Sequence, residues 1–279
     1  MSEKHYVEAL PVTSGKHHWF GYYDKFPWDA TGRYLLGLES TFVDRQPTGE
    51  ERAVVGMIDL QDNNRWIPLD ETLAWCWQQG TMLQWLPSAP DRKIIYNQRD
   101  GDRFVSIIRD VFTGETKTLP RPIYCVRPDG KRAVTLNFAR LDRRRPGYGY
   151  PGVVDAWAHD PHPVDDGIFS MDLETGESQL IISYDLIRHN QPNDTFNEGQ
   201  HWVNHLAYAP DGKRFVFRTA GSMRSRTRRE NGWTASTAPG TMAARSGCSP
   251  MTVSSRTLTG TCPARCSPGP TTARWACIT

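Results

Sequence analysis

A chain of 279 residues is long enough for one large domain or two ordinary ones, so an enzyme-sized core is within its reach. The formal charge of +2 hides an asymmetry. Residues 221–279 hold eight arginines, one acid (Glu230) and no lysine, which leaves residues 1–220 mildly acidic and argues against a nucleic-acid partner. No apolar run is long enough to cross a bilayer and MSEKHYVEAL has no signal-like core, so the expectation is a cytoplasmic protein with no membrane partner. Cys76 and Cys125, flanked by aromatic or aliphatic residues, read as buried strand positions, whereas Cys248, Cys262, Cys266 and Cys277 fall in the basic carboxy-terminal stretch at spacings unlike a zinc motif.

In chain order one pattern returns. WDATGRYLLGLES (28–40), APDRKIIYNQRD (89–100), RPDGKRAVTLNF (127–138) and APDGKRFVFRTA (209–220) each join an Asp-x-x-Gly or Pro-Asp-Gly type of turn to a short apolar strand. Ahead of each stands another apolar or aromatic run: WFGYYDKF, GTMLQWLP, RPIYCV and WVNHLAYA. Behind three of them a strand ends in a second turn, VVGMIDLQDN, VSIIRDVFTGET and DGIFSMDLETGES, followed by RWIPL, KTLP or QLIIS. Each unit is four short strands with turns between, and the period of about 40 residues suits blade repeats of the WD40-like kind. The prediction is an all-β fold, an incomplete β-propeller of about three and a half to four blades over residues 1–220, with a helical turn only near SYDLIRHN (183–190). In the third unit ARLDRRRPGYGYPGVVDAWAHDPHPVDD (139–166) reads as a long loop over one face.

Residues 221–279 abandon the repeat for Ser, Thr, Arg, Pro, Gly and Ala, a composition that predicts a disordered low-complexity tail. Met and Trp have single codons, which allows a sharper reading. Taking the last base of each codon with the first two of the next, Met251–Thr252 must spell aspartate and Trp275–Ala276 glycine; from Pro250 to Gly260 the same frame can spell DDGVVSHFDW, another blade opening. The tail therefore reads as a shifted frame, with the propeller continuing in the other one.

The motifs HHWFGYYDKFPWDATGRYLL, WCWQQGTMLQWLP (75–87), NFARL (137–141), RPGYGY (145–150) and HWVNHLAYAPDG (201–212) resemble those of oligogalacturonate-lyase-type β-propeller proteins, a group that includes pectin-oligomer lyases. The resemblance covers about residues 10–220 and implies β-elimination on a uronate sugar. In such a reaction a base takes the proton beside the carboxylate, cations or a metal stabilise the developing charge, and an acid protonates the leaving oxygen. It further implies an oligosaccharide substrate and a divalent metal such as manganese, held by histidines and a glutamine. The family's histidine-aromatic strand is matched here only by the out-of-frame SHFDW, across the codons of Arg256 and Thr257, so this chain is expected to be inactive if that strand is required. The alternative is a non-catalytic TolB-like propeller that binds a protein or a glycan; a glycoside hydrolase would need paired carboxylates, and Asp165 and Asp166 are adjacent and splayed.

Against that chemistry, His18 is preferred over its neighbour His17 because adjacent strand residues face opposite ways. His201 and His205, four apart, share a face of a regular strand, with Asn204 between them as a substrate ligand. Gln79, with Gln78, stands before an inner strand where an amide can meet a sugar or a metal. Arg140 suits a carboxylate clamp, since a guanidinium pairs bidentately. Arg143, Arg144 and Arg145 read as solvated loop residues. Tyr148 and Tyr150 lie over the face, the first to stack on a sugar and the second to supply a proton; Tyr22 and Tyr23 read as core. HDPHP (159–163) carries metal-capable side chains in an exposed setting.

Overall fold

Several of the turns that punctuate the repeat close in the same way. Asp29 accepts from the backbone N–H groups of Thr31 (3.1 Å) and Tyr34 (2.8 Å), Asp110 from those of Phe112 and Thr113 (3.0 Å each), and Asp172 from Glu174 and Thr175 (2.9 and 3.0 Å). The carboxylate replaces the missing backbone acceptor, and a glycine such as Gly114 (φ 76°) then turns the chain through the left-handed region.

The computed structural model describes residues 10–190, 199–223 and 237–245. Among them the strands form four antiparallel meanders. The first contains β1 (His17–Trp19), β2 (Tyr34–Ser40), β3 (Ala53–Asp59) and β4 (Arg65–Thr72). β5 (Gln84–Trp85), β6 (Lys93–Asp100), β7 (Arg103–Asp110) and β8 (Thr116–Leu119) make the second. β9 (Cys125–Val126), β10 (Arg132–Thr135), β11 (Gly167–Asp172) and β12 (Ser178–Ser183) make the third, and β13 (Gly199–Tyr208), β14 (Arg214–Met223) and β15 (Thr237–Arg245) the fourth. Middle strands such as β2 and β3 are buried along most of their length rather than at alternate residues, as expected when both faces of a sheet are covered. Leu36, Val55 and Met57 of the first sheet share a core with Trp85, Ile94 and Tyr96 of the second; a larger core joins the second, third and fourth. These are the blades of a β-propeller.

A meander of this kind places the Asp-Gly turns on one rim. The connections between blades and the β10–β11 insertion lie on the other. The insertion is not all loop: α1 (Phe138–Arg144) starts it, capped by Asn137, whose side chain accepts from Arg140 N–H at 2.9 Å. NFARL is thus a helix start and not the strand end it was read as. α2 (Tyr184–Asn190) forms where the helical turn was expected. Of the stretch read as a tail, residues 221–223 complete β14 and β15 adds a strand to the fourth blade, while the remainder, with its four cysteines, lies outside the described residues. No helix among the described residues is long and apolar enough to cross a membrane.

One residue fastens the second blade to the third. Asn97 is fully buried; its Nδ2 donates to Ile123 O (2.8 Å) and to the Tyr150 hydroxyl (3.0 Å), and its Oδ1 accepts from Ile123 N–H (2.7 Å). Asn97→Ala strands a buried donor and acceptor and is expected to lower stability by about 2–3 kcal/mol, read as a lower urea midpoint at unchanged slope.

Candidate functional site

At the axis β13 departs from a regular strand. Asn204 pairs with Arg218 and Ala207 with Val216, so His205 and Leu206 together oppose Phe217. This is a β-bulge, and His205 takes φ 53° within it. The His205 N–H leaves the ladder and points instead at the Tyr124 hydroxyl (3.0 Å) and Asn204 Oδ1 (2.9 Å). The ring turns towards the first blade, where Tyr22 Oη lies 2.5 Å from Nδ1. Tyr22 reaches it because β1 stops after Trp19 and the chain makes an excursion before rejoining the sheet at Trp28, which bridges to Leu35. Gly21, at φ 116°, permits that excursion; a Cβ there would meet the Gly80 backbone at 3.0 Å.

The cluster draws on every blade. Gln79 donates to the Tyr124 hydroxyl (2.9 Å) and to Asn204 Oδ1 (3.0 Å), and the Tyr124 hydroxyl donates to the same oxygen at 2.9 Å. All three side chains are buried, yet Gln79 Oε1 and Asn204 Nδ2 have no hydrogen-bond partner among the described residues. A buried acceptor and a buried donor without partners in one cluster suit the hydroxyl of a ligand. Tyr148 approaches His205 edge-on (6.5 Å between centroids), Arg145 stacks on Tyr148 (3.7 Å), and Lys25 lies over the Tyr124 ring (5.4 Å).

The electrostatics assign protonation states. Burial, then the charges of Arg218 and Arg145, pull His205 down to about 4 against the weaker pull of Asp24, so the imidazole is neutral at neutral pH. Burial first, and then Tyr23, drives the Tyr22 phenol well above its ordinary value. Both groups are therefore neutral, and with the Nε2–H tautomer of His205 the Tyr22 hydroxyl donates to Nδ1. Arg145 and Arg218 have no ion-pair partner among the described residues, whereas Arg33, Arg92 and Arg127 are paired with Asp59, Asp110 and Asp129.

Several expected site residues stand elsewhere. Arg140 is fully buried and its guanidinium is spent on backbone carbonyls, so it is not a carboxylate clamp. Tyr150 is buried against Phe138 in a parallel stack (4.3 Å, 5°) with its hydroxyl on Asn97, out of reach of a substrate proton. His201 and His205 do not share a face, because the bulge intervenes; the His201 ring stacks near His162 (6.0 Å). His18 bonds to Glu39 Oε2 (3.1 Å) across the β1–β2 ladder and packs on Trp66. Tyr23, read as core, is 78% exposed. Gln79, Asn204, Tyr148 and His205 are brought together as expected. The sequence reading missed Tyr22, Tyr124, Arg145 and Arg218; the glycine inside an aromatic strand run was the available signal for the first of these.

Among the described residues no three His, Cys, Asp or Glu side chains converge to hold a metal ion. The axial cluster offers one imidazole and two amides beside two unpaired arginines, a poor set for a cation.

Fold and site together define a β-propeller with a polar axial cluster. Among solved structures the chain is similar to TolB from Acinetobacter baumannii (12% identity, TM-score 0.42, 84% of this chain and 42% of that one) and to an oligogalacturonate lyase in complex with manganese (14%, 0.39, 74% and 63%). It is also similar to the oligogalacturonate lyase of Vibrio parahaemolyticus (11%, 0.40, 85% and 64%). The chain thus spans less than two thirds of the length of each of these structures. No family model and no curated protein matches it.

Proposed function

We propose that this chain is a carbohydrate-active propeller that carries out β-elimination on uronate-containing oligo- or polysaccharides. The observation that carries the reading is the 2.5 Å Tyr22–His205 bond, with a neutral imidazole, beside two arginines lacking ion-pair partners. A substrate carboxylate pairs with Arg145 and Arg218, which acidifies the adjacent C–H and offsets two of the charges that depress His205. Tyr22 oxygen takes the carbon-bound proton as its own passes to His205 Nδ1. The electron pair forms the new C=C bond, the glycosidic C–O bond breaks, and the proton returns through Tyr22 to the departing oxygen. Gln79 and Asn204 receive sugar hydroxyls, and Tyr148 stacks against a ring.

The same open amide groups favour a second reading, a non-catalytic propeller that binds a glycan. Incubating the full chain with a panel of uronides and following the ultraviolet absorbance of unsaturated uronate product separates the two. The lyase reading expects an absorbance rise that falls by about a hundredfold or more in Tyr22→Phe and His205→Ala. Binding without any rise supports the second reading, and neither binding nor turnover across the panel overturns both.

A further inference from the structure

Between the second and third blades, on the rim that carries the insertion, lies a separate cleft of about 430 Å³. Its floor is Arg121, in the connection between β8 and β9. The residue is well fixed: its carbonyl accepts the Ser106 hydroxyl (2.9 Å), its Nε donates to Ser178 Oγ (2.9 Å), and the guanidinium lies over the Phe169 ring at 3.7 Å. Its two terminal nitrogens have no acceptor among the described residues. The other charges lining the cleft are engaged or peripheral. Arg103 pairs with Asp100 (2.9 Å), Asp102 stands at the exposed mouth, and Asp166 is buried with Asn137 Nδ2 bonded to one oxygen (2.9 Å). The remaining walls are apolar: Val153, Pro120, Pro122 and Trp157, whose indole is fixed by a 2.7 Å bond to Asp165.

We infer that this cleft is a second binding site, which takes a small ring compound bearing a carboxylate, with Arg121 gripping the carboxylate and Trp157 and the prolines covering the ring. A guanidinium held flat on an aromatic face, with both terminal nitrogens open, matches the two oxygens of a carboxylate in one plane. Burial lowers the Arg121 pKa against the partial compensation of Asp166, so the cation is poorly hydrated and has more to gain from an anionic partner. An acidic sugar and an aromatic acid share this chemistry.

Calorimetric titration of the full chain with galacturonate, benzoate and galactose, in wild type, Arg121→Gln, Arg121→Lys and His205→Ala, tests the site. Expected are binding of at least one of the two acids but not of galactose, a loss of roughly tenfold or more in affinity in both Arg121 variants, and retention in His205→Ala. Tighter binding of galacturonate identifies an acidic sugar, and of benzoate an aromatic acid. Equal affinity in wild type and a folded Arg121→Lys, or galactose binding as well as galacturonate, overturns the inference. Galacturonate held at the axial cluster through Arg145 and Arg218 persists in the Arg121 variants as a separate equivalent, so the Arg121-dependent equivalent and the benzoate arm keep this outcome separate from that of the lyase reading.

Discussion

Arg140→Ala is expected to destabilise the fold by about 3–5 kcal/mol, a large part of the stability of an ordinary domain. The side chain has no exposed surface. Its Nε donates to His201 O at 2.8 Å, Nη1 to Asp160 O at 3.1 Å and Nη2 to Pro161 O at 2.8 Å, and the guanidinium lies 4.3 Å from the Tyr184 ring centroid. One cation thus ties α1 to the inner strand of the fourth blade and to the far end of the insertion. Truncation leaves those carbonyls without a donor and opens a cavity, and the two penalties add. Arg140→Lys restores the charge but not the planar fork, so it should recover only part of the loss. Urea unfolding followed by circular dichroism reads both. If Arg140→Ala unfolds like the wild type and loses only affinity for uronides, the guanidinium serves the ligand and its structural assignment is wrong.

A second large effect is expected in acid. Burial, then His162 and Arg140, pull His201 down to about 3, opposed by the Gly199 backbone and with Arg144 adding to the lowering; His205 is pulled to about 4. Both values lie below the ordinary histidine value of about 6.5, so between that value and the folded one the unfolded chain binds more protons than the folded protein. Stability therefore declines as pH falls through this window, by up to about 1.4 kcal/mol per pH unit for each fully neutral histidine. The depressed carboxylates act over a lower window: hydrogen bonds from Thr48 hold Glu51 near 2, so its contribution is present above the ordinary carboxylate value and is lost as pH falls from there towards 2. Thermal midpoints measured from pH 7 to pH 4 should fall, and the slope should flatten in His201→Gln. A flat profile over that range would mean that neither imidazole is buried in its neutral form.

How far the sequence carried the reading depended on whether a pattern had a local cause. The Asp-Gly turns had one, a side-chain acceptor three or four residues before a left-handed glycine in the turns of Asp29, Asp110 and Asp172, and the blades could be read from such turns. α1 spans only seven residues, two turns, too few for an apolar period to emerge, although Asn137 ahead of it and Arg143 and Arg144 at its end are cap signals. The axial residues were harder because they depend on interruptions. Even spacing made His201 and His205 a pair, and one extra residue in the bulge separated them. Alternation made Tyr22 a core residue, and a chain excursion carried its hydroxyl to the axis. Among the arginines, the sequence could not show which would meet carbonyls and which would remain open; that is decided by contacts between Arg140 and residues some 20 or 61 positions away.

The bond between Tyr22 and His205 joins residues 183 positions apart, whereas each blade is assembled from neighbours in the chain. Blades can form and stack one after another through local contacts, but this bond closes only when the first and the fourth are both in place. The Tyr22–His205 bond is consequently absent from any chain in which either blade has yet to form. A molecule arrested during synthesis or unravelled at one end lacks this contact, and its appearance reports that the first and fourth blades have met.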